Sequence, residues 1–229
     1  MISLFVMHSN DRQQQLLTSC RAWQRLPQWP GLQKTLVVDG PLRHAAPDGF
    51  DVVEVPRNGG KFVWAHMWDA GVGTARHELV WYLDNDRLVP PSYLTHALAA
   101  ACVDSFVFTS RHFLCLEPGL DHDLVELALT DRLEADLLPK PLAGKLKFEP
   151  RTGRVTHAAY KNVMSGNTLF HRQTYYRLGG VDLWYSGHGA FADNDFHAAA
   201  QAGGCRFRDL DLTELHLYHA KLTADGQKH

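Results

Sequence analysis

The sequence predicts an α/β fold: a mostly parallel central sheet flanked by helices, with a smaller mixed portion toward the C-terminus. Three observations carry this expectation. Up to about residue 103, short β-rich runs alternate with amphipathic helical stretches. Residues 78–86, Glu-Leu-Val-Trp-Tyr-Leu-Asp-Asn-Asp, form an apolar run bounded abruptly by two aspartates, the signature of a buried strand that stops at a polar edge. Beyond residue 105 the alternation loosens and turn-forming residues become frequent.

Residues 2–7 read as a buried strand, after which Ser9 or Asn10 caps a helix with Leu16, Leu17, Cys20 and Trp23 at helical spacing. Residues 34–38 form a second strand, halted by Asp39-Gly40-Pro41, and a shorter strand spans 51–55. Asn58-Gly59-Gly60-Lys61 is a loop before a helix from about Phe62 to Ala75, whose core includes Trp64 and Trp68. The strand ending at Asp84 follows, and Pro90-Pro91-Ser92 opens a helix through Ala101. A strand at 105–109 and a helix near 121–137 come next, the latter broken by Pro139 and Pro141. Residues 145–157 read as a hairpin turning near Thr152-Gly153. No repeat, low-complexity tract or linker divides the chain, so 1–229 is expected to be a single domain.

Composition narrows the class. Of the 229 residues, 45% are hydrophobic and 21% charged, which suits a folded domain and argues against disorder. A formal net charge of -2 offers no basic footprint for nucleic acid, although an anion carried by a metal ion stays compatible. Cys20, Cys102, Cys115 and Cys205 lie far apart without a CxxC pair and read as buried thiols, not as a zinc or disulfide framework. The apolar start at 2–7 is too short for a signal-peptide core and no run of membrane-spanning length follows, so the expected location is cytoplasmic, with peripheral contact to the inner face of a membrane left open. Oligomeric state has no signal in the sequence.

The chemistry-bearing residues fall in three places. In a parallel sheet ligands collect where strands end, and Asp39, Asn58 and Asp84 would share that edge. If the strand ending at Asp84 continues, period-two alternation aims Asp84 and Asp86 the same way, with Asn85 opposed. Two adjacent anions call for a cation between them, and a hard divalent ion such as manganese or magnesium commonly carries a substrate diphosphate as well. An ordinary polar turn is the competing reading of this tripeptide.

Downstream, Leu178-Gly-Gly-Val-Asp-Leu-Trp-Tyr-Ser-Gly-His-Gly-Ala-Phe-Ala192 leads into Asp193-Asn194-Asp195 at the start of a helical run. Acidic residues suit a helix N-terminus through capping and the dipole, so a purely local role competes with a catalytic one. In the intervening loop, Trp184, Tyr185 and His188 offer faces that could stack on a ligand, or could simply anchor the loop. Finally, Glu214-Leu-His-Leu-Tyr-His219 places two histidines three apart; an extended strand would send His216 and His219 to opposite faces, leaving only one for a metal.

The order of these segments along nearly the whole chain resembles nucleotide-sugar glycosyltransferases of the glycosyltransferase-A fold, most of all family 2 and the galactosyltransferase carboxy-terminal domain. The resemblance implies a Rossmann-like sheet, with residues 1–103 as the nucleotide-binding half and 104–229 as the acceptor-binding and catalytic half. Asp84 and Asp86 match the family's DxD motif, which holds metal and diphosphate, and Asp39 matches the acid that contacts the nucleoside. Asn10, Arg12 and, more loosely, Asn58 match nucleotide-side positions. Asp193 and Asp195 match the second and last acids of Glu-Asp-x-Asp, which supplies the catalytic base, while Ala192 stands where the first acid belongs. His216 or His219 matches the histidine that completes the metal site.

What the resemblance implies is a metal-dependent transfer of sugar from a nucleotide-sugar, UDP-linked, to a saccharide or glycan hydroxyl, with inversion and with manganese or magnesium as cofactor. One rival is a nucleotidyltransferase of related fold, but a glycine-rich basic loop should then follow the first strand, where His8-Ser9-Asn10-Asp11-Arg12 stands. The other rival is a catalytically silent nucleotide-sugar-binding module, which Ala192 keeps in view.

Overall fold

The computed structural model describes residues 1–57, 63–130, 145–150, 166–184 and 192–219. The elements are β1 (Ile2–His8), α1 (Gln13–Trp23), β2 (Gln33–Asp39), β3 (Asp51–Val55), α2 (Trp64–Gly73), β4 (Leu79–Asp84), β5 (Arg87–Leu88) and α3 (Tyr93–Ala100). They continue as β6 (Ser105–Cys115), α4 (Asp121–Ala128), β7 (Leu146–Pro150), β8 (Asn167–His171), α5 (Arg172–Arg177), α6 (Ala192–Ala202) and β9 (Arg206–His216).

Among the described residues the strands form one sheet in the order β3-β2-β1-β4-β8-β6-β9-β5, with β7 also on β6. The first half is parallel: β1 pairs with β2 and β4, and β2 with β3. Antiparallel β8 joins β4 to β6, so β6 and its parallel neighbour β9 run in the same direction as β4. The predicted α/β architecture with a mixed second portion is therefore the observed one.

Alternating side chains explain why every residue of β1 is buried. Phe5 and Met7 pack with Val37, Val80, Tyr82 and α2 on one face, while Ile2, Leu4 and Val6 pack with Leu36, Trp81, Leu83, α1 and α3 on the other. A strand covered on both faces loses the polar alternation of a one-sided sheet, which is why these segments read as continuous apolar runs.

Several boundaries differ from the sequence reading, each for a local reason. No side chain caps α1: residues 10–12 form a 3₁₀ turn, Ser9 Oγ bonds the Asp11 carboxylate, and Arg12 occupies the N-cap. Leu17 is exposed, off the buried stripe that Leu16, Cys20 and Trp23 follow. β6 runs past 109 to Cys115, pairing first with β8 and then with β7, and a register shift between Thr109 and Arg111 places one extra residue on the facing strand β9. Leu146–Pro150 is extended as expected, but its partner is β6; the turn at Thr152-Gly153 lies outside the described residues. Helix α4 is described as Asp121–Ala128, and the rest of the predicted 121–137 helix lies largely outside the described residues. All four cysteines are free; Cys20, Cys115 and Cys205 are buried and Cys102 is half-buried. Among the described residues no helix is long and apolar enough to cross a membrane.

Candidate metal and nucleotide site

Parallel pairing puts the ends of β1, β2 and β4 on one edge of the sheet, bringing His8, Asp39 and Asp84 into a row. At the end of β2, Asp39 is buried and forms a 2.6 Å ion pair with Arg57, while Gly40 turns the chain away with φ +82 and donates its N–H to the Val55 carbonyl. Asn10 braces the loop that follows: its amide donates to the Pro41 carbonyl and its side-chain oxygen accepts from the Arg43 N–H. Asn58 lies outside the described residues.

The aspartate pair is arranged differently from the period-two expectation. β4 stops at Asp84, and Asn85 and Asp86 form a tight turn into β5, so strand alternation does not govern Asp86. Two backbone bonds fix the turn: Asp84 N–H donates to the Gly166 carbonyl at 2.8 Å, and Leu217 N–H to the Asp86 carbonyl at 2.9 Å. Trp23 Nε1 adds a third anchor from α1, donating to the Arg87 carbonyl at 2.9 Å. The two carboxylates consequently meet different neighbours. Tyr82 donates its hydroxyl to Asp84, two residues earlier on the same face. Asp86 Oδ2 faces Arg12 Nη1 at 2.7 Å, His216 Nε2 at 3.4 Å and His219 Nε2 at 3.3 Å.

Both histidines reach Asp86 because β9 ends at His216. The expectation that only one could face the metal assumed an extended run to His219; instead the chain leaves the strand, and the Leu217–Asp86 backbone bond brings the end round. The imidazole rings sit 5.2 Å apart and nearly perpendicular.

Asp86, His216 and His219 each offer a ligand atom within 4.8 Å of the others, while Asp84 stands outside this group. One carboxylate with two imidazoles suits manganese better than magnesium, which prefers oxygen and water. The other carboxylate oxygen, Asp86 Oδ1, is buried without a hydrogen-bond partner among the described residues and lies 3.9 Å from Arg87 Nε.

The electrostatics separate the two aspartates. Burial pushes the Asp84 carboxyl above its ordinary value, and the neighbouring Asp86 charge adds to the effect, with Arg87 and the Tyr82 hydroxyl opposing. For Asp86, burial pushes the same way, but His216, Arg12 and Arg87 outweigh it and hold the carboxyl well below the usual range. Asp86 is thus the more readily ionised of the two. Tyr82 is driven well above its ordinary value, mainly by burial and then by Asp84.

Topology places α6 relative to this edge. Gly203 and Gly204 end the helix and lead directly into β9, whose Arg206 pairs with Ser105 at the opposite edge of the sheet. The helix therefore runs down the sheet with its Asp193 end toward the edge where β4 stops. Ala192, Phe196 and Ala200 seat it in the apolar cluster with Trp68 and Phe106, leaving Asp193 half-buried and Asp195 exposed. Neither belongs to the group of three around Asp86. Ala192 is a core methyl, so the position lacking the first acid serves packing. Trp184 is exposed and follows the short turn at Asp182; Tyr185 and His188 lie outside the described residues.

Two participants escaped the sequence reading. His8, at the tip of β1, accepts a bond from the Asn85 amide at Nδ1 (2.9 Å), and its Nε2 lies 2.8 Å from His44 Nε2. His44 Nδ1 in turn reaches the Ala45 carbonyl at 2.9 Å. One assignment of roles satisfies every atom: Asn85 donates to His8, His8 to His44, and His44 to Ala45. The second is Glu214, buried behind the site and bonded to Arg87. A histidine closing an apolar strand was a signal for His8; nothing local marks Glu214.

No protein-family model and no curated protein matches the sequence. Solved structures do. The fold is similar to GalNAc-T7, whose crystal structure contains UDP, GalNAc and Mn2+, with a TM-score of 0.63 and 12% identity over 96% of this chain and 44% of that one. It is also similar to the mannosyltransferase PcManGT from Pyrobaculum calidifontis in complex with GDP-Man and Mn2+, with a TM-score of 0.50 and 18% identity over 94% of this chain and 56% of that one. The chain thus spans about half the length of these structures. By its sheet order and these likenesses, the chain has the glycosyltransferase-A fold.

Proposed function

We propose that the chain is a metal-dependent glycosyltransferase that moves a sugar from a nucleotide-sugar, UDP-linked, to a saccharide hydroxyl with inversion. The observation that carries this reading is the convergence of Asp86, His216 and His219 at the sheet edge that also holds Asp39. The UDP, GalNAc and Mn2+ of one structure of the same fold, and the GDP-Man and Mn2+ of another, support it.

In this reading, residues 1–103 bind the nucleotide and 104–229 shape the acceptor side. Asp39 takes the nucleoside, with Asn10, Arg12 and Asn58 on the nucleotide side. Asp86, His216 and His219 hold the cation, and Asp84, oriented by Tyr82, is the adjoining carboxylate. A bound divalent ion supplies Lewis-acid stabilisation of the departing diphosphate. Arg12, now against Asp86, places a guanidinium where the diphosphate charge would develop. Asp193 removes the acceptor hydroxyl's proton as it attacks the anomeric carbon, with Asp195 in second place.

The reading is tested by nucleotide release from UDP-sugars, with manganese and an acceptor panel, for wild type and Asp86→Asn. Manganese-dependent release that Asp86→Asn abolishes is expected. Tight nucleotide binding with no turnover across the panel would instead favour the silent module.

A further inference from the structure

We propose that Arg87 and Glu214 form a buried positioning pair that holds Asp86 and His216 in ligand geometry. The proposal rests on the metal-site reading above and concerns what stands behind it.

Each member is within two positions of a ligand in sequence. Arg87 directly follows Asp86, and Glu214 precedes His216 by two positions, on the same strand. β5 and β9 pair with Arg87 opposite His216 and Leu88 opposite Leu215, so the two segments carrying ligands lie side by side. Across them Arg87 Nη1 donates to Glu214 Oε1 at 2.9 Å, both side chains being almost wholly inaccessible to solvent, at 7% and 1%.

Glu214 is fixed from three directions. Its Oε2 accepts from Thr109 at 2.9 Å on β6 and from Asn167 at 3.1 Å on β8, and Asn167 is oriented in turn by Trp81 Nε1 at 2.7 Å on β4. The carboxylate therefore ties the site to the central strands. On the other side, Arg87 Nε lies 3.9 Å from Asp86 Oδ1, and neither atom has a hydrogen-bond partner among the described residues. At that separation the contact is electrostatic, not a hydrogen bond. The cation attracts Oδ1 and leaves Oδ2 toward His216 and His219. Gly166 permits this approach: a Cβ there would lie 2.8 Å from Arg87 Nε.

Stability alone accounts poorly for the pair, since the desolvation of two buried charges consumes much of their attraction and apolar residues often serve as well. Orientation of a ligand gives the fixed geometry a purpose, and such outer partners are typically worth about 10- to 100-fold in metal affinity. Glu214 also offsets the Arg87 charge, so an electrostatic role must be separated from a geometric one.

Arg87→Lys separates them, because it keeps the charge and loses the planar fork. The test is Mn2+ affinity by electron paramagnetic resonance of free ion, with the melting temperature of each metal-free variant measured alongside. Arg87→Lys and Glu214→Gln are expected to weaken Mn2+ binding by about tenfold, and Thr109→Val, which removes one of the bonds holding Glu214, by about threefold. The variant Arg87→Lys/Glu214→Gln is expected to lose no more than about the larger single effect, as members of one unit do. Wild-type affinity in folded Arg87→Lys overturns the positioning role, as does a lowered melting temperature with unchanged affinity across all three single variants. Asp86→Asn is the separate control: if it too binds Mn2+ like wild type, the metal-site reading itself fails. Should Arg87→Lys or Glu214→Gln not fold, Thr109→Val decides on the same criterion.

Discussion

The His8 relay predicts a specific dependence of stability on pH. His8 is buried at the tip of β1, and its pKa is lowered from 6.5 to about 4, chiefly by burial and next by His44, with Asp11 opposing and Arg12 adding to the decrease. Because the folded value lies below the unfolded one, the unfolded chain binds the extra proton first, and stability falls as pH drops from about 6.5 toward about 4. Integrated between about pH 7.5 and about pH 4.5, this one group accounts for a loss of about 2.5 kcal/mol. The hydrogen bonds agree with that sign: protonated His8 would aim an N–H at the Asn85 amide, which itself donates. The assay is urea unfolding across this range for wild type and for His8→Gln, which cannot titrate. Their difference removes every carboxylate common to both. Wild type should lose about 2.5 kcal/mol more than the variant over that interval. Parallel pH profiles would refute a neutral, buried His8.

Three further outcomes follow from particular contacts. Gly71→Ala places a Cβ 2.4 Å from the buried Phe5 ring, so chemical denaturation should show a loss of about 1–3 kcal/mol without loss of fold. Gly166→Ala combines a φ of +91 with a Cβ against Arg87, and should weaken Mn2+ binding measured by titration as well as lower the melting temperature. Under the proposed function, Asp193→Asn should lower kcat by about 100- to 10,000-fold while leaving nucleotide and Mn2+ affinities near wild type; a fall in affinity with kcat preserved would remove the residue from the base role.

The first four strands were legible because burial on both faces writes continuous apolar runs, and because a parallel sheet must bring their ends to one edge. That reasoning was enough to group Asp39 with Asp84 before any coordinates. It misplaced Asp86, since period-two alternation ends where the strand does and Asp86 occupies a turn. It likewise underestimated the histidines, because the backbone bond from Leu217 to Asp86 that brings both of them in spans more than half the chain. Arg87 and Glu214 are 127 positions apart, and no local pattern announces a buried ion pair across such a separation. His8 lies between these cases: its place at a strand tip was readable, whereas its partners Asn85 and His44 come from two other loops.

Under the proposed function, Asp86, His216 and His219 hold the cation of a nucleotide-sugar transferase. The decisive measurement of that assignment is a crystal structure of the protein with UDP and Mn2+, the ion located by its anomalous signal. One strong peak is expected within coordination distance of Asp86, His216 and His219, with the diphosphate on its open side and uracil toward Asp39. A bound diphosphate whose ion touches none of these three residues would contradict it.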